Sequence, residues 1–133
     1  MGEIVEKWMT AEVVAVAPAT SLKEADALLT ERRIRRLAVI DDGKLVGVLS
    51  LGDVRAAKAS AAADMSGFSS EPSVADLMTP DPITIPRSAS LGLAAQTMLQ
   101  LKVSGLPVVD DNGEVCGVLS ASDLFRYIIA TTH

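Results

Sequence analysis

The sequence predicts an α+β (mixed α/β) fold made of two β-α-β-β-α repeats packed about a pseudo-twofold axis. Three observations predict it: the chain is written twice, each copy alternates strand-like and helix-like stretches, and each copy carries a hairpin signal. Met9-Thr10 recurs as Met78-Thr79, Ser21-Leu22 as Ser90-Leu91, and Asp41-Asp42-Gly43 as Asp110-Asp111-Asn112-Gly113. Gly47-Val48-Leu49-Ser50-Leu51-Gly52-Asp53 recurs as Gly117-Val118-Leu119-Ser120-Ala121-Ser122-Asp123. The offset is 69 residues at Met78 and 70 at Asp123, so the second copy carries one extra turn residue, Asn112. A repeat this long is a whole supersecondary unit, and two such units can bury their apolar faces on each other.

In chain order, each copy opens with a short amphipathic segment, residues 5–9 or 74–78. A strand-like stretch follows, 13–16 in the first copy and 83–85 in the second, where Pro80, Pro82 and Pro86 confine it to a short or edge strand. A helix then starts at Ser21-Leu22-Lys23-Glu24, which reads as a capping box: Ser21 accepts from the backbone and Glu24 reaches back. Leu22, Ala25, Leu28 and Leu29 fall on one face of that helix. Leu91, Ala94, Met98 and Leu101 do the same after Ser90, without the acidic partner. Next comes a hairpin. Strands 37–40 and 45–49 flank Asp41-Asp42-Gly43-Lys44, and strands 106–109 and 115–119 flank Asp110-Asp111-Asn112-Gly113. Asp-Gly and Asn-Gly tolerate positive φ, and strands apolar on both faces require cover on both sides. A last helix begins at Ser50 or Ser120, and Phe125, Ile128 and Ile129 give the second one an apolar stripe. The copies are thus bounded at 5–56 and 74–130, with 57–73 between them as an Ala-rich helix extension that becomes a flexible linker. Met65 and Phe68 in that linker are candidates to seal against the core or meet a partner.

Composition excludes several function classes. The chain has 133 residues, 49% hydrophobic but only 3% aromatic, so the core is built from Val, Leu, Ile, Ala and Met and there is no stacking platform for single-stranded nucleic acid. The net charge of −5 opposes nucleic-acid binding, even with Arg32, Arg33, Arg35 and Arg36 clustered. Cys116 cannot form an intramolecular disulfide and reads as a buried structural thiol. His133 is the single histidine and the last residue, and it is given no role. One His and one Cys make no zinc-ligand set and no Ser-His or Cys-His pair, so neither a metal site nor enzymatic chemistry is expected. Asp41-Asp42 and Asp110-Asp111 read as turn formers rather than a divalent-ion site. No apolar run approaches a membrane span and the first residues lack the profile of a secretion signal. A soluble, cytoplasmic protein that makes no membrane contact is the expectation.

Chemistry concentrates in Gly-x-x-Ser-x-x-Asp, which occurs twice where a strand turns into a helix. A helix start presents free N–H groups and a positive dipole end. An Asp in the first turn can accept hydrogen bonds from vicinal hydroxyls, as an acidic residue does for ribose in dinucleotide-binding folds. Gly47 and Gly117 lack a side chain, so backbone or ligand can approach closely. The same residues also read as a capping box worth about 1 kcal/mol of helix stability with no ligand at all. Both readings stand on these residues alone.

The wider pattern resembles the CBS domain, the module of cystathionine β-synthase. Leu77-Met78-Thr79-Pro80, the helix from Ser90, Val103-Ser104-Gly105-Leu106-Pro107-Val108-Val109-Asp110, the hairpin turn and Gly117 to Asp123 carry the resemblance in the second copy. Trp8-Met9-Thr10, Ile34-Arg35-Arg36-Leu37-Ala38-Val39-Ile40-Asp41 and Gly47 to Asp53 carry it in the first. It extends from about residue 5 to about residue 129 and is similar to a stand-alone tandem pair, or Bateman module. It implies a regulatory, energy-sensing role: adenosine-containing ligands (AMP, ADP, ATP or S-adenosylmethionine) bound in clefts between the copies, a homodimer, no required cofactor, and action on an unidentified effector protein. By the same resemblance, cleft A combines Ser120 and Asp123 with Thr10, Val13, Ala15, Ile34, Arg35 and Arg36. Cleft B combines Ser50 and Asp53 with Thr79, Ile83, Thr84, Val103, Ser104, Gly105 and Pro107. Arg35 and Arg36 stand where the family often places phosphate-binding cations, although cations ending a helix also suit its negative pole. Ser104-Gly105 replaces this pair in the second copy and Ala38 replaces Pro107 in the first, so the clefts are chemically unequal and cleft A is the better phosphate site. The alternative is a dimeric interaction or scaffold module with no physiological ligand. Trp8, beside Ile4, Val5 and Met9, suits core or dimer packing better than ligand stacking.

Overall fold

Each hairpin forms where its turn signal stands. In the computed structural model, which describes residues 3–63 and 71–132, β2 (Arg36–Asp41) and β3 (Lys44–Ser50) pair antiparallel from Asp41↔Lys44. Asp42 (φ 51°) and Gly43 (φ 77°) take the two left-handed positions of the turn. The second hairpin, β6 (Gly105–Val109) with β7 (Val115–Ser120), absorbs its extra residue differently. Asp110 Oδ1 accepts from Asn112 N–H (2.9 Å) and Glu114 N–H (3.0 Å), while Gly113 sits at φ 79°. Each hairpin gains a short parallel edge strand: β1 (Ala15–Val16) on β2 and β5 (Ile85–Pro86) on β6. These edges are two residues long, shorter than the 13–16 and 83–85 stretches expected, and Pro86 sits at the edge its missing N–H permits. Leu37, Ala38 and Val39 are buried in succession, as are Leu106, Pro107 and Val108, so the middle of both β2 and β6 is covered on both faces.

The helices follow from their caps. Ser21 accepts from Glu24 N–H (3.1 Å) to start α2 (Leu22–Arg32), and Ser90 accepts from Leu93 N–H (3.0 Å) to start α5 (Leu91–Leu101). Only the forward half of the box expected at Ser21 forms. The next free donor, Lys23 N–H, goes to Glu71 Oε1 (3.1 Å), and Leu22 N–H goes to Pro72 O (3.0 Å). Reciprocal boxes form instead at the starts of α3 (Leu51–Ala63) and α6 (Ala121–Thr131). The Ala-rich stretch continues α3, as the propensity of alanine favours. Met65, Phe68 and His133 lie outside the described residues. No helix among the described residues is long and apolar enough to cross a membrane.

The chain divides into two compact units that cut across the sequence repeats. A central unit runs from Val14 to Pro82; a terminal unit joins the residues up to Val13 with those from Ile83 onward. The terminal unit therefore contains α1 (Val5–Trp8), while the central unit contains α4 (Val74–Leu77) and β4 (Thr79–Pro80). Val74 N–H donates to Thr20 O, and Val74 is fully buried among Val16, Leu29, Leu37 and Leu49. Val5 N–H donates to Ala89 O, and Val5 is fully buried among Leu91, Leu106 and Leu119. Trp8 packs against that same core and meets Tyr127 edge-on, ring centroids 5.3 Å apart.

The glycines repeated at 47 and 117 make this exchange possible. Thr10 bridges Val118 through N–H···O bonds of 2.9 Å in both directions, and Thr79 pairs with Val48 on the edge of β3. A Cβ on Gly117 would stand 2.6 Å from Met9 Sδ and 2.9 Å from Thr10 O; one on Gly47 would collide with Met78 Sδ and stand 3.0 Å from Thr79 O. What approaches these glycines inside each unit is thus the chain's own Met-Thr segment.

Two of the apolar stripes read from the sequence reach the surface. Leu101 is 44% exposed, because the inward face of α5 is completed by Leu91, Ala94 and Met98. Phe125 (61%), Ile128 (53%) and Ile129 (73%) face outward, since Leu124 and Tyr127, one position off, take the inward face of α6.

The exchange predicts that Val5→Ala and Val74→Ala each destabilise the protein by about 2 kcal/mol, as fully buried valines do, and not by the near-zero change of a frayed segment. Gly117→Ala should cost about 1–3 kcal/mol by overpacking, because a backbone carbonyl cannot move aside as a methionine can. Equilibrium urea unfolding of the three variants checks both expectations.

Candidate functional site

The two Ser-x-x-Asp motifs are closed hydrogen-bond rings at helix starts. In the central unit, Ser50 N–H donates to Asp53 Oδ2 (2.9 Å) and Asp53 N–H donates to Ser50 Oγ (3.1 Å). In the terminal unit, Ser120 N–H donates to Asp123 Oδ2 (2.8 Å), Ser120 Oγ–H donates to the same oxygen (3.1 Å), and Asp123 N–H donates to Ser120 Oγ (3.3 Å). The rings fix the rotamer of each aspartate and use helix-start donors that would otherwise need solvent. Asp123 is the one buried polar or charged residue among the described residues, at 3% exposure.

Each unit brings further site residues beside its ring. In the terminal unit Ala121 N–H donates to Ser104 O (2.9 Å), Gly105 pairs with Ser120, and Thr10 bridges Val118 two residues upstream of Ser120. In the central unit Leu51 N–H donates to Arg35 O (2.8 Å), Arg36 pairs with Ser50, and Thr79 pairs with Val48. The segment before the hairpin, the Met-Thr segment and the Ser-Asp ring of one unit therefore share one end of its sheet. The residues assigned to cleft A are divided between units: Thr10, Val13, Ser120 and Asp123 in the terminal one, Ala15, Ile34, Arg35 and Arg36 in the central one. Those of cleft B divide likewise, Ser50, Asp53 and Thr79 lying in the central unit and Ile83, Thr84, Val103, Ser104, Gly105 and Pro107 in the terminal one. Ile83 (54%) and Val103 (42%) are exposed apolar side chains, whereas Pro107 is buried.

The central unit is cationic at this end. Arg33 closes α2 in the left-handed conformation (φ 54°), which swings the chain toward Ile34 and Arg35. Arg33, Arg35 and Arg55 line an open depression of about 290 Å³ floored by Leu29, Ile34 and Leu51. Beside this depression, burial lowers the Arg36 pKa and repulsion from Arg35 lowers it further. Guanidinium forks suit phosphate.

Sequence reasoning clustered Arg33 with Arg35 but gave Arg33 no part in a cleft, and it missed Arg55, which joins them from the first turns of α3. It also missed Arg126, whose Nη1 donates to Asp123 Oδ1 at 2.6 Å; an Arg three residues after an Asp on a helix was the available signal. Cys116 is half-buried rather than fully buried, and burial first and the Asp110 carboxylate second push its thiol pKa up, against nucleophilic use. Among the described residues no group of three or more His, Cys, Asp or Glu could hold a metal ion.

Comparison with known proteins converges on one family. The sequence profile described as the CBS domain matches twice, over residues 2–60 and 74–130. A crystal structure of CBSX2 in complex with AMP is 35% identical, with a TM-score of 0.84 over 99% of this chain and 100% of that one. The CBS domain pair of protein MJ0100, in complex with 5′-methylthioadenosine and S-adenosyl-L-methionine, is 25% identical with a TM-score of 0.86, covering 99% of this chain and 100% of that one. An inosine-5′-monophosphate dehydrogenase of Korarchaeum cryptofilum is 34% identical over 120 residues, 90% of this chain and 23% of that protein. The chain spans about a fifth to a quarter of the length of the first such curated relatives, 23%, 23% and 21%. A twice-matched profile over most of the chain, on two units each closing a Ser-Asp ring at a helix start, makes this a tandem pair that belongs to the CBS domain family.

Proposed function

We propose that this chain is a regulatory module that binds an adenosine-containing ligand (AMP, ADP, ATP or S-adenosylmethionine) at its Ser-x-x-Asp helix starts and acts on a partner protein. The observation that carries this reading is end-to-end likeness, at 35% identity, to a structure in complex with AMP. The chemistry supports it. Asp53 and Asp123 are carboxylates fixed by main-chain donors, so a ribose diol meets an acceptor that needs little ordering. The arginines of the central unit suit the phosphates, and the exposed aliphatics Ile83 and Val103 suit a purine face. In this proposal the module senses its ligand rather than transforming it.

The module acts, in this proposal, as a cytoplasmic homodimer through α6. Phe125, Ile128 and Ile129 form an exposed i, i+3, i+4 apolar face, the spacing of one helix side. The equivalent residues of α3, 70 positions earlier, are Arg55, Lys58 and Ala59. An isologous α6 contact buries apolar surface, whereas an isologous α3 contact would set like charges together.

Two measurements test these statements. AMP, ADP, ATP or S-adenosylmethionine at 100 times its Kd should stabilise the fold by about 2.7 kcal/mol, seen as a rise in Tm, while a guanine nucleotide should not. Asp53→Asn with Asp123→Asn should abolish the rise; no rise with any adenosyl compound would leave an interaction scaffold as the better reading. Light scattering after size exclusion should show a dimer that Phe125→Glu with Ile129→Glu turns into monomer and that Arg55→Glu leaves intact.

A further inference from the structure

We infer that Arg126 is a specificity-determining residue that makes the Asp123 site favour phosphate-bearing adenosyl ligands over uncharged ones. The inference rests on the ligand reading above and deepens it. Asp123 presents two carboxylate oxygens, and both are engaged. Oδ2 accepts from Ser120 N–H and Ser120 Oγ–H, and Oδ1 accepts from Arg126 Nη1 at 2.6 Å. The Oδ2 bonds belong to the helix cap and persist as long as α6 starts at Ala121. A ribose diol that turns to Asp123 therefore competes with Arg126 for Oδ1. The two partners of this ion pair differ sharply in freedom: the Asp123 side chain is 4% exposed and the Arg126 side chain 64%. The carboxylate stays and the guanidinium leaves.

Where the guanidinium goes decides the selectivity. With an uncharged nucleoside it returns to water and the ion pair is lost. With a nucleotide it can exchange the carboxylate for a phosphate, a charge-assisted partner of the same kind. The penalty of opening Asp123 is then refunded only by ligands that carry phosphate. The other repeat offers an internal control. The residue three positions after Asp53 is Ala56, which has no guanidinium, so the Asp53 ring carries no such discrimination.

Calorimetric titration of the full chain with AMP and with adenosine tests this, in wild type and in Arg126→Ala, Ala56→Arg, Asp123→Asn and Asp53→Asn, each first shown to melt as a folded protein. Arg126→Ala should tighten adenosine and weaken AMP at the site that Asp123→Asn removes, shrinking their affinity ratio about tenfold, the equivalent of losing one charge-assisted contact. Ala56→Arg should raise the same ratio at the site that Asp53→Asn removes. An unchanged ratio in both arginine variants, with binding intact and sensitive to Asp123→Asn, overturns the role of Arg126 and leaves the ligand reading standing. Wild-type protein that binds neither compound, or binding that survives both aspartate substitutions, overturns the ligand reading and this inference with it.

Discussion

Where Met9 lies over Gly117, and Met78 over Gly47, a strand without a side chain lets another segment's carbonyl come flat against it. Thr10 and Thr79 then complete the ladders at Val118 and Val48, and the short helices ahead of them insert Val5 and Val74 into the two cores. A side chain at either glycine would hold the incoming segment off, and a fully buried valine would be withdrawn with it. The constraint also fixes the cut between units. Because the segment that opens one sequence repeat completes the other repeat's sheet, the compact pieces are 14–82 and the two chain ends, and neither repeat is complete without a segment of its neighbour. The chain passes between units at Val13 and at Pro82, so the covalent chain itself ties the two together.

On the proposed reading, the same end of each sheet serves both stability and binding. A capping box and a ribose acceptor are often set against each other as explanations of a Ser-x-x-Asp motif. Here the cap bonds are what hold the carboxylate in place. Ser50 N–H and Ser120 N–H each spend a helix-start donor on one aspartate oxygen, which fixes the side-chain torsions and leaves the other oxygen to decide what is recognised. Preorganisation of this kind lowers the ordering cost of binding without adding a contact.

Local signals were legible in the sequence wherever one residue type forces one conformation. Asp42-Gly43 and Asn112-Gly113 marked their turns, Ser21, Ser90 and Ser120 marked their caps, and repetition marked the α+β unit. The family, and with it the ligand class of its solved relatives, was legible through the order and spacing of those signals. Long-range choices were not. Nothing in Val5 or Val74 says which of two nearly identical sheets its segment will join, since both sheets present the same Gly-Val edge. The outward turn of Phe125, Ile128 and Ile129 was hidden because a residue pair one position away, Leu124 and Tyr127, fits the inward stripe equally well. The gathering of Arg33, Arg35 and Arg55 depended on a left-handed arginine that no propensity foretells. The fate of Asp123 depended on a side chain one helical turn downstream.

Duplication gave the two units one backbone, and their surfaces then diverged in a patterned way. Arg35, Arg36, Arg55 and Lys58 of the central unit have Ser104, Gly105, Phe125 and Ile128 as their sequence counterparts in the terminal unit. Cationic side chains collect in one unit; exposed apolar side chains collect on the last helix of the other. In the terminal unit the proposed recognition group, Asp123, and the exposed apolar face lie on a single helix. From Asp123 to Ile129 is six residues, about 9 Å along the axis at 1.5 Å per residue. On the reading proposed above, a ligand that draws Arg126 from Asp123 acts on the first turn of the helix that carries the exposed apolar face. Coupling over that distance requires no chain of intermediates, only a helix stiff enough to carry a small rotation and a ligand with unequal affinity for its two settings.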